Sequence, residues 1–219
     1  MSAIPQPKEF YERYWTEGSD VYSGDNHGYA ANFRDWMRLH LTGFPSQGRI
    51  LEVGCGDAAF TKDLLRYSNN VTAIDISASQ IERNKQALPA VTFLQHDVSE
   101  SFPFENDSFD VIWCSEVLEH LFAPDFALTE MHRVLAPGGR LLVTVPFHGY
   151  FKDVLIALFK WDEHFAPGNP HIRFFTKRTL GRVASEAGFR DVNMTQCGMN
   201  RPVRDFFIPT NILLSAKKG

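Results

Sequence analysis

Between Ile50 and Pro146 short apolar runs alternate with polar stretches of helical spacing, and this rhythm restricts the fold more than any other feature of the chain. Arg49 to Val53, Val71 to Ile76, Val91 to Gln95, Phe109 to Cys114 and Arg140 to Pro146 are short, apolar and partly β-branched, which predicts strands. Among them, Ser79 opens a polar helix through Leu88, and Asp125 reads as the N-cap of a helix carrying Leu128, Met131 and Leu135. The "APGG" at Ala136 to Gly139 is expected to end that helix. Strand and helix in regular turn predict βα units around a parallel sheet covered on both faces. The expected fold is therefore a doubly wound, Rossmann-like α/β sheet that takes its ligand at the carboxyl ends of the strands, where their order reverses.

At 219 residues the chain reads as a single domain. Its expected parts are an aromatic-rich N-terminal helical cap (1–48), a ligand-binding core (49–146), an insert (147–175), and a C-terminal helix and strand pair (176–219). Thr176 is the predicted cap of that helix, Leu180, Val183 and Ala187 lie on one face, and Gly188 stops it. A net charge of -4, from 22 basic and 26 acidic residues, excludes a broad basic field for nucleic acid. The chain has no apolar run long enough to span a bilayer, and "MSAIPQPKEF" lacks the pattern of a secretory signal, so a cytoplasmic protein is expected. Cys55, Cys114 and Cys197 show no metal spacing and are odd in number, which predicts free thiols in a reducing compartment.

In "ILEVGCGDAAF", Gly54 and Gly56 follow a strand and precede a helix, where glycine admits positive φ and lets a ligand approach the backbone. Asp75 ends the next strand, and a carboxylate there can accept from both hydroxyls of an adenosine ribose. A dinucleotide and a sulfonium nucleoside share that ribose. Glu52 and Asp57 distinguish them, because two carboxylates weaken the field that a diphosphate needs and favour a sulfonium with an α-ammonium.

"LEVGCGDA", "AIDIS", "LQHDVSE", "FDVIWCSEVLEHL" and "LAPGGRLLVTVP" together resemble the successive motifs of class I S-adenosylmethionine-dependent methyltransferases. The type-11 small-molecule enzymes, typified by ubiquinone-biosynthesis methyltransferases, are the most similar subgroup, and "HIRFFTKRTLGRVASEAGF" is similar to their tail. Where the family often has a third loop glycine, this chain has Ala58. The resemblance implies a seven-stranded, mostly parallel sheet with an antiparallel last strand. It also implies S-adenosylmethionine as cofactor and S-adenosylhomocysteine as product. Carried over by position, it puts Glu52, Gly54, Cys55 and Gly56 at the methionine end, and Asp75 with Ile76 at the ribose and adenine. Asp97 and Val98 fall at the adenine amino group, Cys114 and Ser115 beneath the methionine, and Tyr14 and Tyr29 where the family's N-terminal helices close over the cofactor.

Methyl transfer from a sulfonium needs alignment and dryness, and a base only if the acceptor must lose a proton. His120 is the first candidate base and His148 the second, each with a structural role as its alternative. Glu116, Glu119 and His120 fall at i, i+3 and i+4, so on a helix they would share a metal, with His164 or His171 added. Small-RNA terminal 2′-O-methyltransferases resemble this arrangement. The same string also occurs in metal-free small-molecule enzymes, so the main expectation is no metal. In the insert, Val154 to Phe159 is apolar and lies between Lys152 and Lys160. It reads as a lid over a hydrophobic acceptor, an interfacial helix in peripheral contact with a membrane, or a packing helix. The expected activity is methylation of a small organic acceptor, with oxygen favoured over carbon and nitrogen as the atom methylated. Its rivals are a metal-dependent RNA 2′-O-methyltransferase, a nicotinamide-dependent oxidoreductase and a non-catalytic cofactor-binding partner subunit.

Overall fold

The computed structural model describes residues 7–16, 28–166, 169–199 and 202–219. β1 (Arg49–Val53), β2 (Asn70–Asp75), β3 (Thr92–Gln95), β4 (Phe109–Ser115), β5 (Leu135–Pro146), β6 (Phe189–Cys197) and β7 (Asn211–Lys218) form one sheet in the order β3-β2-β1-β4-β5-β7-β6. β1 to β5 pair in parallel, and β7 enters antiparallel between β5 and β6. This is the doubly wound, mostly parallel sheet anticipated above. From β1 the chain crosses to β2 on one side and returns to β4 on the other, which opens a crevice at the carboxyl ends of β1 and β4.

Strand alternation fills two cores. Leu51, Ile112, Leu141 and Val143 face α5 (Pro124–Val134) and α8 (Lys177–Glu186), where they meet Met131 and Leu180. On the opposite face, Ile50, Val111, Trp113 and Leu142 pack with Phe33 and Met37 of α2 (Ala30–Leu41) and Ile81 of α4 (Ala78–Ala87). Burial on both faces accounts for the near-continuous apolar character of the strands.

Several local expectations shift. Ser77, not Ser79, caps α4 and accepts from the Gln80 N–H. Asp125 is not an N-cap: Pro124 occupies the first turn, where its missing N–H costs nothing, and Asp125 follows it. "APGG" lies within β5, whose Leu135 already pairs with Phe109 across an irregular register. Thr176 does cap α8, in a reciprocal pair with Thr179, and Gly188 follows at φ +100. "EVLEH" is not an α-helix. Glu116 turns the chain at φ +54, and Leu118–His120 makes a single 3-10 turn, so the i, i+3, i+4 geometry does not arise. Between the core and α8 lie α6 (Tyr150–Phe159), none of whose residues is buried, and the short α7 (Trp161–His164). α1 (Pro7–Thr16), α3 (Ala59–Leu64) and α9 (Pro202–Phe207) complete the described helices.

Candidate active site

A cavity of about 370 Å³ opens at the crevice. Gly54, Cys55, Gly56 and Asp57 form one wall, and Asp75, Ile76, Asp97 and Val98 the next. Gly54 and Gly56 adopt φ +74 and +48. A methyl at Gly54 would lie 2.3 Å from Val117 Cγ2, so side chains are excluded there by contact as well as by backbone conformation. The carboxylate of Asp75 spans the loop: Oδ2 accepts from the Gly56 N–H and Oδ1 from the Ser77 N–H, both at 2.9 Å. Each oxygen keeps a further lone pair. Burial raises the Asp75 pKa, and these two N–H donors partly offset the rise.

α1 lies across the mouth. Tyr11, Tyr14 and Trp15 line the cavity, and the Trp15 ring reaches to 3.1 Å from where a Gly56 methyl would stand. Glu12 holds the helix down by accepting from the Ser77 and Ser79 hydroxyls at 3.0 and 2.7 Å and from the Ala78 N–H. Nothing in the sequence marks Glu12 or Trp15 for this position. His96, also on the cavity wall, adjoins Asp97 in "LQHD" and could have been found from that motif.

Two residues expected at the cofactor are not on the wall. Glu52 is buried beneath the loop, where its Oε2 accepts from the Thr61 hydroxyl, and burial pushes its pKa up to about 8. It therefore holds a proton at neutral pH and does not supply the loop with the negative charge anticipated for it. Cys114 is fully buried in the core, while Ser115 lines the cavity and pairs with the Thr144 hydroxyl at 2.8 Å.

Beyond β4, Val117, His120, Leu121, Phe122, Pro170 and Ile172 complete the lining, with Val117 against Gly54. His120 Nδ1 lies 3.2 Å from the Pro170 carbonyl, which assigns the proton to Nδ1 and leaves a lone pair on Nε2; burial lowers its pKa. His148 is absent from the wall: it is buried, with Nδ1 3.0 Å from Asp153 Oδ1. Glu116 lines the cavity, but its carboxylate is taken up by the Thr144 hydroxyl and the Asn211 amide, both at 2.9 Å. Among the described residues, the cluster with metal-ligand spacing is Glu119, His120 and His171, so His171 stands where Glu116 was expected.

No lysine or arginine lines the cavity among the described residues, whereas Asp57, Asp75 and Asp97 do. A diphosphate would meet only like charge here; a sulfonium nucleoside would not. The family described as "Methyltransferase domain" matches residues 51–143. Demethylmenaquinone methyltransferase of Staphylococcus epidermidis is 30% identical over 167 residues, covering 66% of this chain and 68% of that protein. The chain belongs to the class I S-adenosylmethionine-dependent methyltransferases.

Other methyltransferases align over less of their own length. Malonyl-[acyl-carrier protein] O-methyltransferase of Erwinia billingiae is 35% identical over 43% of this chain and 37% of its own. The probable methyltransferase ltbC of Aspergillus luteorubrus is 30% identical, and the match covers 64% of this chain and 56% of that one. The chain thus spans about half or less of these two relatives. The fold is shared with an S-adenosylmethionine-dependent methyltransferase of Mesorhizobium loti, at TM-score 0.69 and 18% identity over 90% of this chain and all of that one (100%). It is also shared with Haemonchus contortus phosphoethanolamine N-methyltransferase 2 in complex with S-adenosyl-L-methionine, at TM-score 0.71 and 15% identity over 96% of this chain and 56% of that one. S-adenosylmethionine is the cofactor of this methyltransferase family, and the glycine loop, the open lone pairs of Asp75 and the lack of cations among the described lining residues fit it.

Proposed function

We propose that this methyltransferase transfers the methyl group to a hydroxyl of a small, uncharged, largely apolar acceptor. One observation carries the choice of oxygen: His120 presents an unprotonated Nε2 on the part of the cavity wall built by the turn after β4. Gly54, Cys55 and Gly56 would hold the methionine end through the main chain. Asp75 and Ile76 would hold the ribose and adenine, Asp97 and Val98 the adenine amino group, and Ser115 would lie beneath the methionine. The cofactor, when bound, supplies a sulfonium methyl whose S–C bond breaks as the bond to the acceptor oxygen forms, leaving the electron pair on sulfur. His120 takes the acceptor's proton at Nε2. Tyr11, Tyr14 and Trp15 exclude water from above. The relatives divide between oxygen and carbon acceptors by name, and a positioned base favours oxygen.

The chain is read as one domain, with the cap, core, insert and C-terminal parts bounded as above. α6 leaves Phe151, Val154, Leu158 and Phe159 exposed, which favours a lid or a peripheral membrane contact over a packing helix. No helix of the described residues is long and apolar enough to cross a membrane. An RNA acceptor finds no lysine or arginine on the described wall.

Labelled S-adenosylmethionine should be incubated with the protein and with cell extract split into lipid, small-molecule, RNA and protein fractions. Label in the small-molecule or lipid fraction is expected; label confined to RNA or protein, or none at all, would sink the reading. His120→Ala should lower turnover by ~10²-fold with the cofactor dissociation constant unchanged. Because burial holds His120 below the ordinary histidine range, turnover should persist as pH falls through ~6.5 and fail only at more acid values. A loss centred above that pH would count against the base.

A further inference from the structure

Glu119 is 1% exposed, and neither of its carboxylate oxygens has a hydrogen-bond partner. Its carbonyl accepts from the Ile172 and Arg173 N–H groups at 2.9 and 3.0 Å, which ties the Leu118–His120 turn to the segment that carries His171. A buried carboxylate left this way is costly unless a positive partner reaches it. His120 Nε2 lies 3.7 Å from Glu119 Oε1. With the proton on Nδ1, the Nε2 lone pair faces the Glu119 carboxyl with no hydrogen bond between them, and a cation could join the two donor atoms. The His171 ring sits 4.8 Å from the His120 ring, and the ligand atoms of all three residues lie within 4.8 Å of one another.

We propose that Glu119, His120 and His171 bind one divalent first-row transition-metal cation, such as Zn²⁺, Mn²⁺ or Co²⁺. Two neutral imidazoles and a carboxylate suit these ions, whereas Mg²⁺ and Ca²⁺ prefer oxygen throughout. The bond from His120 Nδ1–H to the Pro170 carbonyl is the outer contact that orients a ligating imidazole and fixes its tautomer. Bonds of about 2.0–2.2 Å place ligand atoms no more than about 4.4 Å apart, so the 4.8 Å spread closes by a small side-chain rotation as the ion enters. Glu116 stays outside the set because Thr144 and Asn211 already hold its carboxylate. His120 lines the cavity, so an ion held by these residues would border it. His120 Nε2 acts as the base in the cation-free enzyme and is a ligand once the ion is bound. Cation binding does not depend on methyl transfer and is measured without it.

Chelator-stripped protein titrated by calorimetry with Zn²⁺, Mn²⁺ and Co²⁺ should take up one equivalent, with a Co²⁺ absorption spectrum of a histidine-ligated four- or five-coordinate ion. Glu119→Gln and His171→Gln should each weaken binding by at least about 10-fold, while Glu116→Gln retains it. Glu119→Gln also replaces the buried, unpartnered carboxyl with a neutral amide of the same shape. The stripped variant should melt no lower than stripped wild type and lose the rise in melting temperature that the cation gives wild type. Failure of wild type to bind any of the three ions overturns the proposal, as does wild-type affinity in both ligand variants or loss of binding in Glu116→Gln. If a ligand variant does not fold, the wild-type stoichiometry and Co²⁺ spectrum decide alone. Cation binding without label transfer would overturn the methyl-transfer reading and leave the cation site standing.

Discussion

The two ends of the cavity are built by different means. At the cofactor end, the wall comes from the tips of neighbouring parallel strands: the loop after β1, Asp75 at the end of β2, and Asp97 just beyond β3. Its working groups are main chain and short carboxylates, held by bonds such as those from Gly56 and Ser77 to Asp75. At the acceptor end, Tyr11 comes from α1, His120 from a turn after β4 and Ile172 from the insert. Strand order and short bonds to Asp75 set the geometry of the first end; contacts between segments distant in the chain set the second. The difference teaches that the cofactor end should be intolerant of backbone change, and the acceptor end open to substitution with change of specificity.

The largest effect expected from breaking this contrast is at Gly54. Gly54→Ala adds a methyl 2.3 Å from Val117 Cγ2 at φ +74, so left-handed strain and overpacking should together cost about 2–5 kcal/mol of stability. Denaturant melts check this, and a loss under 1 kcal/mol would show that the loop yields. Next, Asp75→Ala should weaken cofactor binding by about 1.5–3 kcal/mol, the range for hydrogen bonds to a charged group; an unchanged calorimetric constant removes Asp75 from the site. Glu52 sharpens the comparison through pH. Its folded pKa is raised from 4.5 to about 8, so the native chain keeps a proton that the unfolded chain releases. The stability this gives is complete below 4.5 and lost as pH rises toward 8. Glu52→Gln should therefore gain on wild type across that window, by on the order of 1–3 kcal/mol at its alkaline end. Melts showing a constant difference from pH 5 to 8 would contradict it. The smallest effect is at Ala58, which caps α3 at φ +61 and is buried. Ala58→Gly relieves about 1 kcal/mol of backbone strain and forfeits about 0.8 kcal/mol of methyl burial, so its melting midpoint should hardly move.

Signals that are local in the chain were legible from the sequence. β-branched runs located the strands because both sheet faces are buried, and "LEVGCG" located the loop because only glycine suits Gly54. Near misses arose where two adjacent residues compete for one role, as Ser77 and Ser79 do for the start of α4, where hydrogen-bond geometry decides. "EVLEH" misled because helical spacing was assumed for a segment that Glu116 turns at positive φ. Glu52 reads as a charge facing the ligand because a sequence does not reveal burial. Glu12 and the approach of His171 to His120 depend on contacts across 65 residues in one case and about 50 in the other, for which no local pattern exists.

β7 is the last strand in the chain, yet it is threaded between two earlier ones, and its first residue, Asn211, donates to Glu116 at the acceptor end. During synthesis, every motif of the cofactor end leaves the ribosome long before that amide does. The residues of the nucleoside pocket therefore emerge before the amide that fixes Glu116.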